Sequence, residues 1–137
     1  MQLSSRLNEV LRFLKPLPYM ADIGSDHALL AIAAVQSGKI ERAIATDINA
    51  APLQAARAAI NSAGLQECII LQQADGLRDI NKDYLQQIVI AGMGGLLIRR
   101  ILAEAACDPE RVELIKRAVL QPNNREAELR FWLAESG

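Results

Sequence analysis

Five short apolar runs, each leading into acidic, glycine or amide residues and separated by helical patterns, set what this chain can fold into. They lie at residues 19–23 (YMADI), 42–47 (RAIATD), 68–73 (CIILQQ), 88–91 (IVIA) and 118–121 (AVLQ). Apolar strands alternating with helices are the mark of a parallel sheet covered by helices on both faces. The strongest turn motif follows the first strand, and parallel strands need right-handed crossovers. The expected order is therefore 3-2-1-4-5, an α/β fold of Rossmann-like type, with ligands gathering at the carboxyl ends of strands one and four.

The segments between the runs have helix signals at their ends. Leu7, Val10, Leu11 and Leu14 share one helical face, with Ser4 or Ser5 as N-cap and Pro16 and Pro18 as the stop. A helix over about 27–37 is closed by Gly38, and Asn49 is expected to cap a helix that reaches Gly64 and accepts Pro52 in its first turn. A short polar helix or turn is expected at 81–87, a helix at about 95–106, and a final amphipathic helix at 125–135.

Length and charge bound the rest. The chain has 137 residues, which is one ordinary domain, and 15 Lys+Arg against 16 Asp+Glu give a net charge of −1. That balance removes the usual compositional argument for a nucleic-acid binder without excluding a local basic face. Arg6, Arg12 and Lys15 face only Glu9 among the first twenty residues, and Arg99-Arg100 and Lys116-Arg117 form basic pairs. No apolar stretch approaches the roughly 20 residues that cross a bilayer, and residues 1–15 have helical spacing rather than a signal-peptide pattern, so a cytoplasmic protein is expected. Cys68 and Cys107, with a single histidine, suit neither a disulfide framework nor a metal site and are expected to be reduced packing residues.

The chemistry gathers at the strand ends. In Asp22-Ile23-Gly24-Ser25-Asp26-His27, a glycine lets the backbone approach a ligand and a helix start offers N–H groups. A pyrophosphate-binding fingerprint would carry three glycines; this turn has one, and Asp22 and Asp26 crowd the place of an anion. A cofactor with a cationic centre and an amino acid tail, such as S-adenosylmethionine, suits these carboxylates better. Asp47, 25 residues after Asp22, stands where an acidic residue accepts ribose hydroxyls, with Ile48 beside it. Asp75-Gly76 at the end of strand three can accept an adenine amino group. Ala91-Gly92-Met93-Gly94-Gly95 can present backbone groups to a flat ring or serve close chain packing, and Gln121-Pro122-Asn123-Asn124 brings polar amides to the same rim or forms a turn.

The set D-I-G-S-D-H at 22–27, A-G-M-G-G at 91–95 and Q-P-N at 121–123 resembles the bacterial tRNA (adenine-N1)-methyltransferases of the TrmK type, which modify adenine 22 of tRNA. The resemblance spans nearly the whole chain. It implies a class I methyltransferase domain over residues 1–137, S-adenosylmethionine as cofactor and tRNA as partner. That family also has closing strands and a helical C-terminal domain. This chain is therefore expected to be a C-terminally truncated catalytic domain, and an exposed sheet edge could support a dimer.

Within that resemblance Asp22, Gly24, Ser25, Asp47, Ile48, Asp75, Gly76, Ala91 and Gly92 are expected to hold the cofactor. Gly92, Met93, Gly94, Gln121 and Asn123 are expected to shape the base pocket. Asp26, His27 and Asn123 are the catalytic candidates, with Asp26 facing charge that develops on the methylated base. No metal is expected. The competing readings are a methyltransferase for a protein or small molecule, an inert cofactor-binding module and, last, a nicotinamide-dependent oxidoreductase.

Overall fold

A computed structural model of the chain describes residues 3–24, 26–126, 129, 130 and 134. Strand β1 (Leu17–Ile23) begins two residues earlier than its apolar run suggests, because the Leu17 N–H donates to the Lys39 carbonyl at 3.1 Å and joins the ladder to β2 (Ile40–Asp47). β3 (Ile69–Gln73), β4 (Gln87–Gly94) and β5 (Arg117–Asn124) complete a sheet of order β3-β2-β1-β4-β5. Every pairing is parallel, as expected.

Alternate strand residues feed two cores. Met20, Ala43, Ala45 and Val89 face one side, where they pack with Val10 of helix α1 (Ser5–Phe13) and Leu14 just past its end, with α2 (Leu29–Gln36), and with Ala56 and Ile60 of α3 (Ala50–Ala63). Ala21, Ile23, Ile44, Ile88 and Ile90 face the other, against Ile98 and Ile101 of α4 (Gly95–Ala105) and Tyr84 and Leu85 of a 3-10 helix at Lys82–Gln86. The period-two alternation of a strand, applied to apolar residues at both parities, is what requires helices on both faces.

Helix α1 is fastened at its C-terminal end. The buried Gln87 side chain bonds both backbone groups of Lys15, accepting from its N–H and donating to its carbonyl at 3.0 Å each. Lys39 Nζ donates to the Leu11 carbonyl at 3.0 Å, and the Arg117 guanidinium donates twice to that of Phe13. Cations at the last carbonyls suit the negative end of the helix dipole. At the other end, Ser4 caps the helix by accepting from the Leu7 N–H at 3.2 Å, one of the two capping residues expected.

Several local expectations are corrected. Helix α2 starts at Leu29 rather than His27, because His27 and Ala28 sit at φ 59° and 55° in a 3-10 turn (Asp26–Ala28) that cannot continue into a helix. Asn49 holds the N-cap position of α3 without a side-chain bond; the Asp47 carboxylate instead accepts from the Asn49 N–H at 2.9 Å. A helix α5 (Pro109–Leu114) that the apolar pattern did not signal is capped by Asp108, with Pro109 in its first turn. Cys68 is partly buried and Cys107 is exposed, so only the first is a packing residue. The final helix expected at 125–135, with Phe131 to Leu133, falls largely outside the described residues.

Candidate functional site

Two neighbouring cavities open at the carboxyl ends of the strands, and both have Gly24 in their walls. The first, of about 160 Å³, is lined by Arg6, Leu7, Asp22, Gly24, Leu29, Leu30, Ala91 and Gly92. It lies between β1 and β4, the adjacent central strands from which the chain winds outward in opposite directions. Asp22 is 5% exposed. Gly24 sits at φ 69°, a turn that L side chains adopt at a cost, and Met93 fills the space where its Cβ would project.

The second cavity, of about 90 Å³, has Asp47, Ile48, Ala74, Asp75, Gly76, Met93, Leu97 and Arg100 in its wall. Ile48 is 55% exposed and Leu97 39%. Apolar side chains open to solvent beside two carboxylates form a surface suited to the face of a heteroaromatic ring, with polar acceptors at its edge. One Asp47 oxygen accepts from the Asn49 N–H. Asp75 meets Arg100 Nη2 at 3.3 Å and Arg78 Nη2 at 3.6 Å, and Arg78 also reaches Glu104 at 3.7 Å.

The glycine-rich run at 91–95 is strand rather than turn for most of its length. β4 continues to Gly94 and β5 to Asn124, paired as Ala91 with Gln121, Met93 with Pro122 and Gly94 with Asn124, with register shifts on either side of Met93. Pro122 is tolerated there because β5 pairs, among the described residues, with β4 only, and its missing N–H interrupts no second ladder. The side chains of Gln121 and Asn123 clasp Gly92 from both ends of its peptide groups: Gln121 Oε1 accepts from its N–H at 3.3 Å, and Asn123 Nδ2 donates to its carbonyl at 3.0 Å. Asn124 Oδ1 accepts from the Gly95 N–H at 3.1 Å and so caps α4 from a neighbouring strand. Close chain packing accounts for Gly95, where a Cβ would stand 2.7 Å from the Arg125 carbonyl oxygen and 2.8 Å from that of Asn124.

The expected cofactor residues Asp22, Gly24, Asp47, Ile48, Asp75, Gly76, Ala91 and Gly92 thus line this one pair of cavities. Met93, expected at the base pocket, lies in the second cavity against Gly24. Gln121, Asn123 and Gly94 are not among the residues lining either cavity and stand at the adjoining rim through Gly92 and β4. His27 lies in the 3-10 turn, while Ser25 and the side chain of Asp26 lie outside what is described. Among the described residues no group of His, Cys, Asp and Glu could hold a metal. Arg6, Leu29, Leu30, Leu97 and Arg100 were not anticipated as cavity residues. The basic excess near the start and the Arg99-Arg100 pair were visible in the sequence, but which of those side chains turns inward depends on helix placement.

A parallel sheet of this order with acidic strand ends around a split cleft defines a Rossmann-like protein, a fold in which ligands collect at the carboxyl ends of the strands. A model of the methyltransferase domain matches residues 3–137, and the chain belongs to that family. It is 41% identical over 133 residues to the tRNA (adenine(22)-N(1))-methyltransferase of Bacillus subtilis (strain 168), covering 97% of this chain and 55% of that protein. Among solved structures it matches Streptococcus pneumoniae Sp1610 in complex with S-adenosyl-L-methionine at 41% identity and TM-score 0.91, over 99% of this chain and 63% of that one. It also matches M. capricolum TrmK bound to S-adenosyl-homocysteine at 32% identity and TM-score 0.84, over 98% and 58% of the two chains. The resemblance drawn from the three motifs is borne out by these relatives. The chain spans about half the length of the curated relatives it matches.

Proposed function

We propose that this chain is an S-adenosylmethionine-dependent methyltransferase domain acting on N1 of an adenine in tRNA, adenine 22. The observation that carries the reading is the gathering of Asp22, Asp47 and Asp75, from the ends of β1, β2 and the segment after β3, around one cleft with exposed apolar walls. The relatives named above, one holding S-adenosyl-L-methionine and one its product, support it. When bound, the cofactor supplies a methyl group activated by a sulfonium.

The residues present fit that group. Asp47 offers a carboxylate to ribose hydroxyls, its second oxygen left beside the one that takes the Asn49 N–H. Asp75 accepts an exocyclic amino group while Ile48 and Leu97 cover the ring. Asp22 and the Gly24 backbone face the amino acid tail. Met93, an unbranched side chain over Gly24, yields to the incoming molecule by rotamer change at small cost.

At the rim, Gln121 and Asn123 fix the Gly92 peptides, so backbone groups of β4 present a rigid edge to the target base. Unprotonated adenine N1 needs no strong base before attack, and catalysis rests on alignment and exclusion of water, worth several powers of ten. The methylated ring is cationic. Asp26, with His27 as the lesser candidate, is assigned to stabilise that charge or receive a proton from N6.

The reading places the domain in the cytoplasm with its tRNA; no described helix is long and apolar enough to cross a membrane. Transfer of labelled methyl from S-adenosylmethionine to tRNA, rather than to protein or small-molecule acceptors, is the test, with tRNA affinity expected to fall steeply as salt rises. Cofactor binding without turnover would favour the inert module. Tight NAD binding with none of S-adenosylmethionine, measured by calorimetry, would overturn the reading altogether.

A further inference from the structure

The amino ends of the strands, opposite the cleft, carry positive charge that the proposed reaction does not use. Lys15, Lys39, Lys116 and Arg117 converge there, each placed by a specific bond. Gln87, the first residue of β4, holds both backbone groups of Lys15, and the Lys116 N–H donates to the Gln86 carbonyl at 2.9 Å. Lys39 Nζ and the Arg117 guanidinium reach the carbonyls of Leu11 and Phe13 at the end of α1. None of the four forms an ion pair among the described residues. In a chain of net charge −1, that is a local excess with no acidic counterpart of equal size.

The end of α1 does not account for it. A helix terminus carries about half a unit of negative charge, and Lys39 and Arg117 answer it. The side chains of Lys15 and Lys116 are exposed and make no hydrogen bond among the described residues. Arg12, on the same helix, is matched by Glu9 at 3.0 Å and adds nothing to the excess. Glu41 shares the wall of a shallow hollow of about 250 Å³ with Lys39 and offsets one unit. A net positive patch remains.

Phe13 stands among these cations and is 59% exposed. Its own carbonyl is the one that Arg117 holds, so the ring and the guanidinium share the end of α1. An aromatic face open to water beside unpaired cations suits an unstacked nucleotide, with the phosphate on the cations and the base on the ring. We propose that the amino ends of the strands form a second RNA-binding surface, which takes an unpaired nucleotide of the substrate tRNA away from the adenine in the cleft. The inference rests on the reading of tRNA as the substrate. The eight residues of β4, at about 3.3 Å each, put this surface about 25 Å from the cleft rim, so the nucleotide held here belongs to a different part of the RNA. A lipid surface fits less well. Lys39 and Arg117 are partly buried and tied to carbonyls, which leaves two free lysines where a membrane-binding segment carries about four to eight basic residues.

Binding of two RNAs to the full chain tests this: whole tRNA, and a stem-loop that carries the target adenine but is too short to span about 25 Å. Lys15→Gln combined with Lys116→Gln leaves the anchoring bonds of Lys39 and Arg117 in place. It should weaken whole tRNA about tenfold and make the slope of log affinity against log salt shallower by about 1 to 2. Phe13→Ala should weaken whole tRNA about fivefold or more. Affinities for the stem-loop and for S-adenosylhomocysteine should stay within about twofold, which shows that the fold and the cleft are intact. Equal losses on both RNAs, or no loss on either, overturn the inference and leave the substrate reading standing. Binding of phosphatidylserine vesicles that is lost in the double variant, with tRNA affinity unchanged, overturns it in favour of a membrane. If the unsubstituted chain neither binds nor methylates tRNA, the substrate reading falls and the inference with it.

Discussion

The Asn123 side-chain amide donates to the Gly92 carbonyl at 3.0 Å, tying the exposed end of β5 to the glycine that borders the first cavity. With Gln121 on the Gly92 N–H, two residues that look like free rim amides in the sequence act as struts for the neighbouring strand. Asn123→Ala should therefore cost little stability, about 0.5–1 kcal/mol for one exposed bond. Labelled-methyl transfer to tRNA should fall about tenfold to a hundredfold through lost alignment, with S-adenosylhomocysteine affinity nearly unchanged. A parallel loss of that affinity would mean that the strut serves the cofactor cavity instead.

Gly95 leaves no room for a side chain. An added Cβ would press on the carbonyl oxygens of Asn124 and Arg125, which are backbone and cannot rotate away. Gly95→Ala should lower stability by about 1–3 kcal/mol in urea titration. Gly38 is the contrast: its surroundings are open, and Gly38→Ala should cost only its left-handed φ of 82°, about 1 kcal/mol.

Asp75 is held between Arg100 and Arg78 with its side chain 40% exposed. Pairs this open contribute about 0–1 kcal/mol, so Arg100→Ala should barely move the unfolding midpoint. Its effect should appear in ligand binding, where a less fixed Asp75 weakens S-adenosylhomocysteine a few-fold. Asp75→Asn, which removes the acceptor's charge, should weaken it by about tenfold. Equal losses of stability and affinity in Arg100→Ala would contradict a positioning role.

Burial raises the Tyr84 phenol above its ordinary value of 10.0, with Arg42 pulling in the opposite direction and Tyr19 and Asp83 adding to the rise. Its ring stands edge-on to that of Tyr19, centroids 5.1 Å apart. The folded state therefore holds the phenolic proton more tightly than the unfolded chain does. Stability from this group is complete below pH 10 and declines as pH rises toward and through the folded value. Urea midpoints at increasing alkaline pH should fall less in Tyr84→Phe than in the unsubstituted protein.

Much of the site was legible because strand ends are local. A carboxylate or glycine just past an apolar run has a known place in a parallel sheet, so Asp22, Gly24, Asp47 and Asp75 could be assigned to one rim from their order alone. The left-handed His27 and Ala28 escaped notice because neither residue type announces positive φ. The continuation of β4 and β5 through glycines and a proline was equally hidden, because cross-strand bonds from Gln121, Asn123 and Asn124 sustain that pairing against weak local propensity.

By itself the sequence determined the sheet order, its two-sided core and the acidic strand ends, since hydrophobic period and residue order act over a few residues at a time. Only the tertiary structure decided that Arg6 turns into the first cavity, that Arg100 backs Asp75 and that Met93 covers Gly24. Each of these places a side chain against a residue distant in the chain. The angle at which α1 or α4 docks is set by packing and by anchors such as Gln87 on Lys15, which carry no signal in the local pattern.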